Sequence, residues 1–262
     1  MAIIKGIITH IKVGKYELIR SPKLKILAGR YAPFSCVEVT VSDPKAMLGN
    51  INKNDEINIL YGHKGGLQNT WAGSVRSVCT NKDQSIIYAV GNEKLLSCQI
   101  TQSWNNETPE AILTYAANFS GININKIDSP GCVFQHFVAS NISIWELAKQ
   151  LEYTCRESFN IDMENWVIWL GQNGLNWGNF IEAADIPVIS SGKNLIEHKA
   201  DNDDFGFNYV ETFLLPCFWH SMIFRLVDVK RKIDARYQAI RVNHEISNKK
   251  VRTFIWYKNE NK

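Results

Sequence analysis

The sequence predicts an α+β fold that is mainly β, with a small helical unit between two β-rich halves. Alternating apolar and polar residues, separated by polar turns, recur at both ends of the chain, which is typical of small barrels or sandwiches. Between them, residues 107–170 carry the start and stop signals of two helices. A compact helix–loop–helix–hairpin unit is therefore expected in the middle of a chain that otherwise forms strands.

Four strands are predicted in the first half, and each ends at a residue type that breaks strands. Asp43 and Pro44 end the first strand, Gly62–Gly66 forms a loop after the second, and Asn81–Asp83 turns the chain into the fourth. One face of each strand is apolar, so one side of the sheet should be buried. The predicted strands cover residues 36–41, 57–61, 71–78 and 86–90.

The central unit has clear helix signals. Thr108-Pro109 opens the first helix, and Ser120-Gly121 stops it. Ser143 can cap the second helix by accepting the backbone N–H of Glu146, while the Glu146 carboxylate reaches back in a capping box. The following segment, Ile161–Trp169, is interpreted as an aromatic-rich hairpin.

Strand patterns return in the second half. Residues 222–226 and 240–246 alternate, and Ser247–Lys250 forms a turn into a last strand at residues 251–257. Residues 177–209 are rich in Gly, Asn and Asp and give no clear prediction. An echo relates Trp71–Val78 to Tyr237–His244, since each segment follows a strand and a polar turn and starts with an aromatic residue.

Composition excludes several classes of protein. The 262 residues suit one large or two modest domains, and a hydrophobic fraction of 45% indicates a folded chain. The net charge of +3 is too mild for a nucleic-acid binder, which needs a clustered basic face. The densest basic run, Lys230–Lys232, is interpreted as a turn. We expect no nucleic-acid specificity.

Cysteine spacing and the N-terminus indicate folding in a cytoplasm. The six cysteines form no Cys-x-x-Cys pair, which favours reduced and mostly buried thiols. The first ten residues lack the apolar core of a signal peptide, and no run approaches the roughly 20 apolar residues of a membrane helix. Stable membrane insertion is not expected.

The acidic segment Asp201–Asp204 suggests a calcium loop, since Gly206 stands at the sixth position. Phe205 stands where an oxygen ligand is needed, however, and Thr212 replaces the bidentate Glu. A solvated loop is the better interpretation. The histidines show no metal-ligand spacing, and they stand at positions 10, 63, 136, 198, 220 and 244.

Other candidate sites are also explained by structure. Gly62–Gly66 lacks the Gly-Lys-Ser/Thr ending of a phosphate loop, so a hairpin turn explains its glycines. The carboxylate pairs Asp162/Glu164 and Glu197/Asp201 could serve a glycosidase, but nothing selects either pair. A cluster of tryptophans at positions 166, 169 and 177 could stack sugars or bases, although core packing is favoured. No catalytic, cofactor-binding or metal-binding residue is predicted.

Taken in order, several segments resemble one family. The first β-rich half resembles the first domain of phage tail hub proteins, the central unit resembles their helical insertion, and the last strands resemble their second barrel. The matching segments are Ala32–Asp43, Lys53–Gly62, Trp71–Val78, Thr108–Gly121, Asn141–Leu151, Trp166–Gly171, Tyr237–His244 and Arg252–Phe254. The chain is thus similar to the baseplate hub, or late-control D, group of contractile-tail phages. That group includes the N-terminal hub part of type VI secretion spike proteins.

The resemblance implies two small β-barrel domains of similar topology, at residues 1–98 and 176–262, with an α/β insertion unit at residues 99–175. It also implies a homotrimer whose six barrels match the six-fold tail tube and whose base meets the three-fold central spike. Implied partners are the tail tube protein, the central spike protein and the tape measure protein, without a cofactor. The chain would assemble in the bacterial host cytoplasm and act in the baseplate of the virion tail.

Two departures and two alternatives remain. The chain ends soon after the second barrel, without the spike or lysozyme domain of some relatives, and residues 172–215 match poorly. A tail-associated cell-wall hydrolase would need a paired-carboxylate or Cys/His constellation, and none is found. A generic β-barrel ligand-binding module should be monomeric and should lack the helical unit.

Overall fold

The protein, described by a computed structural model, is mainly β, as the sequence predicts. No helix among the residues placed is long and apolar enough to cross a membrane. The structure describes residues 6–18, 22–91, 94–171, 173–179, 186–200 and 207–258. The chain divides into two compact units, one made of residues 1–91 and 182–262 and the other of residues 92–181.

Seven strands form the first β-rich half. The four predicted strands are found, and the three strands that precede residue 36 were not predicted. Buried valines alternate with more exposed residues along the strand at residues 36–42, as expected for a sheet with one covered face. The elements are β1 (Ile7–Val13), β2 (Tyr16–Leu18), β3 (Lys23–Gly29), β4 (Cys36–Ser42), a 3-10 helix (Met47–Asn50), β5 (Glu56–His63), β6 (Gln68–Asn81) and β7 (Gln84–Val90).

The central unit contains the two predicted helices and two small sheets. The longer helices begin at the predicted caps, because the Thr108 and Ser143 hydroxyl groups accept the backbone N–H groups of Ala111 and Glu146. The elements are α1 (Lys94–Ser97), β8 (Gln99–Glu107), α2 (Pro109–Phe119), β9 (Ile124–Ile127), β10 (Phe134–Ser143), α3 (Ile144–Phe159), β11 (Trp166–Gly171) and β12 (Gly174–Asn179).

The predicted hairpin at Ile161–Trp169 is wrong in its position. Residues 161–165 form a loop, in which Asp162 Oδ1 accepts the Glu164 N–H at 2.9 Å. The hairpin is instead formed by β11 and β12, with Trp166 opposite Asn179. The prediction placed it too early because the Asp162 turn interrupts a segment that looks extended in sequence.

Six strands form the second β-rich half. The first two lie in residues 177–209, for which no clear prediction was made, the third begins at the end of that segment, and the last three agree with the predicted alternation. They are β13 (Val188–Ser190), β14 (Leu195–Lys199), β15 (Asn208–Phe213), β16 (Ile223–Asp228), β17 (Ile233–Ile246) and β18 (Val251–Tyr257).

Both β-rich halves belong to one sheet. The main strand order is β14-β15-β18-β17-β3-β4-β7-β6-β5-β1-β2, and β16 pairs with both β13 and β17. The halves join where β3 and β17 form six antiparallel residue pairs. The exposed edge of one half satisfies the backbone groups of the other, so separation would leave both edges unpaired. No closed barrel is detected among the described strands.

Three apolar clusters form the interior. The first half has its own cluster, which also takes in Leu214 and Ile246 from the second half. A second cluster fills the rest of the second half around Phe224 and Tyr257. The central unit is held by a third cluster on the inner faces of α2 and α3.

The prediction that the cysteines are mostly buried is wrong. Only Cys132 and Cys155 are buried, and both lie in the central unit. Cys79 and Cys217 are exposed, because they stand on an exposed strand segment and in a loop. Cys36 and Cys98 are half-buried.

Candidate functional site

Among the described residues, those considered for metal binding do not come together in a common site. Within the described ranges, no three His, Cys, Asp or Glu residues group closely enough to hold a metal ion. The acidic segment Asp201–Asp204 with Gly206 lies outside the described residues, and Thr212 is buried in β15. Each histidine has its own partner: His10 with Glu17, His63 with the Leu214 carbonyl, His136 with Asn105, His198 with Asp228 and Tyr257, His220 with Ser221, and His244 with Thr253 and the Phe218 carbonyl.

The other candidate residues have structural roles. Trp166 and Trp177 are both buried and pack edge to face with ring centroids 4.8 Å apart, so they form part of the core. Trp169 lines a shallow cavity of about 200 Å³ in the central unit. Gly62 and His63 end β5, and the following residues form the turn to β6, where the His63 N–H donates to the Leu67 carbonyl at 2.9 Å.

The described members of the two carboxylate pairs have local partners. Asp162 and Glu164 are joined by the backbone bond described above, in an exposed loop. Glu197 lies on β14 with its carboxylate 3.2 Å from the Lys199 ammonium group, and Asp201 lies outside the described residues. Neither pair therefore brings two carboxylates together among the described residues.

A different feature organises the β unit: its two halves repeat the same strand order. In the first half, neighbouring strands follow the order β3-β4-β7-β6-β5-β1. In the second half they follow β14-β15-β18-β17-β16-β13. When the six strands of each half are numbered along the chain, leaving out β2, the two orders are identical. All matching neighbours are antiparallel except for the outermost pair, since β13 and β16 are parallel while β1 and β5 are antiparallel.

The long strands β6 and β17 are equivalent in detail. Each has 14 residues, pairs its first part with one neighbour and its second part with another, and contains a register shift. The shifts lie between Val75 and Ser77 in β6 and between Ala239 and Arg241 in β17. Such bulges are specific local features, and their equivalent positions support a repeated unit.

Superimposing the two bulges sets the register of the repeat. Deeply buried residues then coincide, including Val39 with Val210 and Ile87 with Ile255. The echo in the sequence lies on equivalent strands, but it is two residues out of register. Trp71 corresponds to Ala235, and Tyr237 corresponds to a position two residues after Trp71.

A connecting segment, the 214–218 strap, is hydrogen-bonded to strands of both halves. On the first half, the Leu214 carbonyl lies 3.0 Å from His63 Nε2, and the Pro216 carbonyl accepts the Tyr61 hydroxyl at 3.2 Å. On the second half, the Leu215 N–H donates to Thr253 Oγ1 at 2.9 Å. The strap thus links β5 of the first half to β18 of the second half, in addition to the pairing of β3 with β17.

Two buried histidines accompany the strap. His244 lies 2.9 Å from Thr253 Oγ1 and 3.0 Å from the Phe218 carbonyl, with its ring near that of Tyr61. Burial lowers the pKa of His244 to about 4, although the bond to the Phe218 carbonyl opposes this shift. Burial, reinforced by the positive charge of Arg30, lowers the pKa of His220 to about 3. Both rings are therefore neutral near pH 7.

A buried polar cluster closes the second half. His198 on β14 lies 2.7 Å from Asp228 on β16 and 2.7 Å from the Tyr257 hydroxyl on β18. Burial raises the pKa of Asp228, but hydrogen bonds from His198 and Arg231 outweigh it and lower the pKa overall. A carboxylate–histidine pair can activate a nucleophile, but here all three side chains are buried, so the cluster links strands.

These structural residues were not found from the sequence. His198 lies in the segment without a prediction, and the strap follows β15 as an apolar run that has no strand alternation. The sequence of Leu214–His220 does indicate a buried connection, because apolar and aromatic residues continue on both sides of Pro216. Such a run in a connection indicates burial, but its partners lie about 150 residues away in the chain.

Comparison with solved structures places this fold among tail proteins. Similar structures include a 43 kDa tail protein of prophage MuSo2 from Shewanella oneidensis, with a TM-score of 0.72 and 11% identity over 95% of this chain and 97% of that one. A tail protein from Neisseria meningitidis MC58 has a TM-score of 0.73 and 10% identity, covering 97% of both chains. The chain has a phage tail-type fold.

A third similar structure is an E. coli component of the type VI secretion system, described as similar to the T4 bacteriophage tail proteins gp27 and gp5. It has a TM-score of 0.63 and 7% identity, over 96% of this chain and 77% of that one. At these identities the likeness shows the fold alone. No protein-family model matches the sequence, and no curated protein matches it either.

Proposed function

We propose that this chain is a structural component of a phage or prophage-derived tail, namely the baseplate hub that joins the six-fold tail tube to the three-fold central spike. In this role it forms a homotrimer, binds the tail tube protein and the central spike protein, and contacts the tape measure protein. It has no catalytic role and acts in the virion tail.

The repeated strand order of the two β-rich halves carries this proposal. A six-fold tube and a three-fold spike can be joined by three copies of a chain that presents two similar units. One such unit consists of β1 and β3–β7, and the other consists of β13–β18. Both units have the same strand order within one chain. The three domains of the hub then correspond to residues 1–98, 99–175 and 176–262.

The structural neighbours support the same role. Two are named as tail proteins, and a third as a component of the type VI secretion system. The likeness extends over nearly the whole chain, including the central unit. A generic β-barrel binding module would not explain that unit.

Copy number and position in purified tails test the proposal. Quantitative mass spectrometry should find three copies of this chain per tail, against multiples of six for the tube protein. Immunogold labelling should mark one end of the tube, with antibody pre-absorbed on the pure protein as the control. Labelling along the whole tube, or absence of the chain from purified tails, would contradict a hub.

A further inference from the structure

We propose that the central unit binds one neutral sugar ring, in the cavity lined by Trp169, Asn176 and the ion pair of Lys126 with Asp128. The ligand class is a β-linked glucose or N-acetylglucosamine unit of a glycan, with its ring stacked on the Trp169 indole. This binding activity goes beyond the proposed function and does not depend on the homotrimer.

Trp169 differs in its surroundings from the other two tryptophans of the central unit. Trp166 and Trp177 belong to the apolar core, and Trp169 is not part of that cluster. Side chains alternate along a strand, and the neighbouring Ile168 is buried in the core, so the half-buried Trp169 lies on the opposite face of β11. Core packing therefore explains Trp166 and Trp177 but not the position of Trp169.

Trp169 stands at one end of a row of side chains that crosses the three-stranded sheet. Asn176 lies opposite Trp169 in the β11–β12 pair, and Lys126 lies opposite Asn176 in the β12–β9 pair. Because Asn176 is short and buried, the row is low in the middle between two longer side chains. The cavity here has a volume of about 200 Å³. Pockets for drug-sized ligands have roughly 300–1,000 Å³, so this one suits a single small ring.

An ion pair lies at the other end of the row. Lys126 Nζ is 3.0 Å from Asp128 Oδ1, and the Asp128 N–H donates to the Trp177 carbonyl at 2.8 Å. The Asp128 carboxylate lies directly over Gly178, where the Cβ of any other residue would overlap it. A carboxylate accepts about four hydrogen bonds and an ammonium group donates three, so the pair retains groups that reach a ligand.

Asn176 is held in a fixed orientation at the bottom of the cavity. Its Oδ1 accepts a hydrogen bond from Asn125 Nδ2 at 2.6 Å, and its Nδ2 donates to the Gly174 carbonyl at 3.0 Å. These two bonds use one of the two N–H donors and one of the two lone pairs of the amide. The amide therefore presents an oriented donor and acceptor to a ligand without a loss of side-chain freedom on binding.

This combination of an aromatic face with amide, carboxylate and ammonium groups suits a pyranose whose substituents are all equatorial. Such a ring carries only axial C–H groups on its two faces, and these are attracted to the electron-rich face of an indole. Its hydroxyl groups lie around the edge of the ring. There they can donate to the Asp128 carboxylate and accept from Lys126 and Asn176. An axial hydroxyl would separate the ring from Trp169.

The charges at the site argue against a nucleic acid, whose bases also stack on aromatic side chains. Sites that stack bases lie in positively charged grooves that follow the phosphate backbone. Among the described residues that line this cavity, Lys126 is the one cation, and Asp128 balances its charge. The site therefore favours a neutral ligand.

Saturation-transfer difference NMR on the full chain tests the site, because it detects weak binding of small ligands. The probes are methyl β-D-glucopyranoside and the methyl β-glycoside of N-acetylglucosamine. Methyl β-D-galactopyranoside is the stereochemical control, since it differs from the glucoside by one axial hydroxyl. Ring protons of at least one of the two probes should receive more saturation than those of the galactoside. Transfer to the acetamido sugar alone supports the site and narrows its ligand to N-acetylglucosamine.

Three variants connect the signal to the site. Trp169→Ala should abolish the transfer, because it removes the stacking surface. Asp128→Asn should weaken binding about tenfold, because it removes hydrogen bonds to a charged acceptor. Tyr153→Ala is the matched control and should leave the transfer unchanged, since it removes an aromatic side chain that is 60% exposed on α3 of the same unit. Circular dichroism checks the fold of each variant.

Several results would overturn the proposal. They are no transfer to either probe, equal transfer to the galactoside, or equal transfer in the parent and Trp169→Ala. Unfolding of Trp169→Ala would show that Trp169 belongs to the core and would also contradict the site. Binding of an oligothymidylate, abolished by Trp169→Ala, would identify a base-stacking site instead of a sugar site.

Discussion

At the scale of single residues, the first turn of α3 shows how one side chain stabilises the central unit. Ser143 Oγ accepts the Glu146 N–H at 3.2 Å, and the Glu146 carboxylate accepts the Ser143 N–H at 2.8 Å. These two bonds satisfy backbone donors that the helix itself leaves unpaired. They also lower the pKa of Glu146, through the backbone N–H and then the hydroxyl of Ser143.

The variant Ser143→Ala should lower the free energy of unfolding by about 1 kcal/mol without a change of fold, because it removes the N-cap acceptor. Ser103→Ala is a matched control, since Ser103 is an exposed residue of β8. Urea unfolding measures both variants. Equal stability of the two would show that Ser143 does not act as a cap.

The cysteines should differ in reactivity. The thiols of Cys132 and Cys155 lie 3.7 Å apart in the core, and burial raises the pKa of both, that of Cys155 to about 12. Because the thiolate is the reactive form, these two should resist a thiol reagent in the native protein, whereas the exposed Cys79 should react.

Timed alkylation followed by peptide mass spectrometry measures this difference, with the urea-unfolded protein as the control in which all thiols react. Modification of Cys155 at the rate of Cys79 in the native protein would contradict the burial described.

At the scale of elements, local signals determined what could be predicted. The caps at Thr108 and Ser143, and the turn at Asn81–Asp83, define their elements within a few residues, so sequence was sufficient for them. The hairpin at Ile161–Trp169 failed because one Asx turn was not recognised. β14 and the 214–218 strap could not be predicted, because their bonds join residues far apart in the chain.

His244, which is hydrogen-bonded to the Phe218 carbonyl of the strap, makes the β unit sensitive to acid. His244 has a pKa of about 4 in the folded protein and an ordinary value of 6.5, so the unfolded chain binds its proton first. Stability from the neutral ring is fully present above pH 6.5 and is lost as the pH falls through about 4. His220 acts in the same direction, with a lower folded pKa.

The free energy of unfolding should therefore fall by about 2–3 kcal/mol on account of His244 between pH 7 and pH 4. The variant His244→Gln should be less stable at pH 7 and should show a shallower fall over that range. His10→Gln is the control, because His10 is exposed. Urea unfolding at a series of pH values measures the slopes, and identical slopes for the parent and His244→Gln would contradict the account.

At the scale of the whole chain, the β unit combines a repeat with a continuous sheet. The residue types along single strands predicted part of β17 but neither β3 nor its pairing with β17, since edges that face solvent and edges that face another strand look alike in sequence. In the sequence, the repeat was visible only as the similarity of Trp71–Val78 to Tyr237–His244. The structure shows that the equivalent residues differ from this alignment by two positions. Strand order, which the chain fixes only through long-range pairing, is what reveals the duplication.

The central claim is that two similar units in one chain serve a three-fold assembly. Size-exclusion chromatography with multi-angle light scattering tests it most directly, on the full chain at tens of micromolar concentration. We predict a homotrimer of three 29.9 kDa chains, about 90 kDa in total. A mass of one chain over the whole accessible concentration range, or a stable dimer, would contradict the claim.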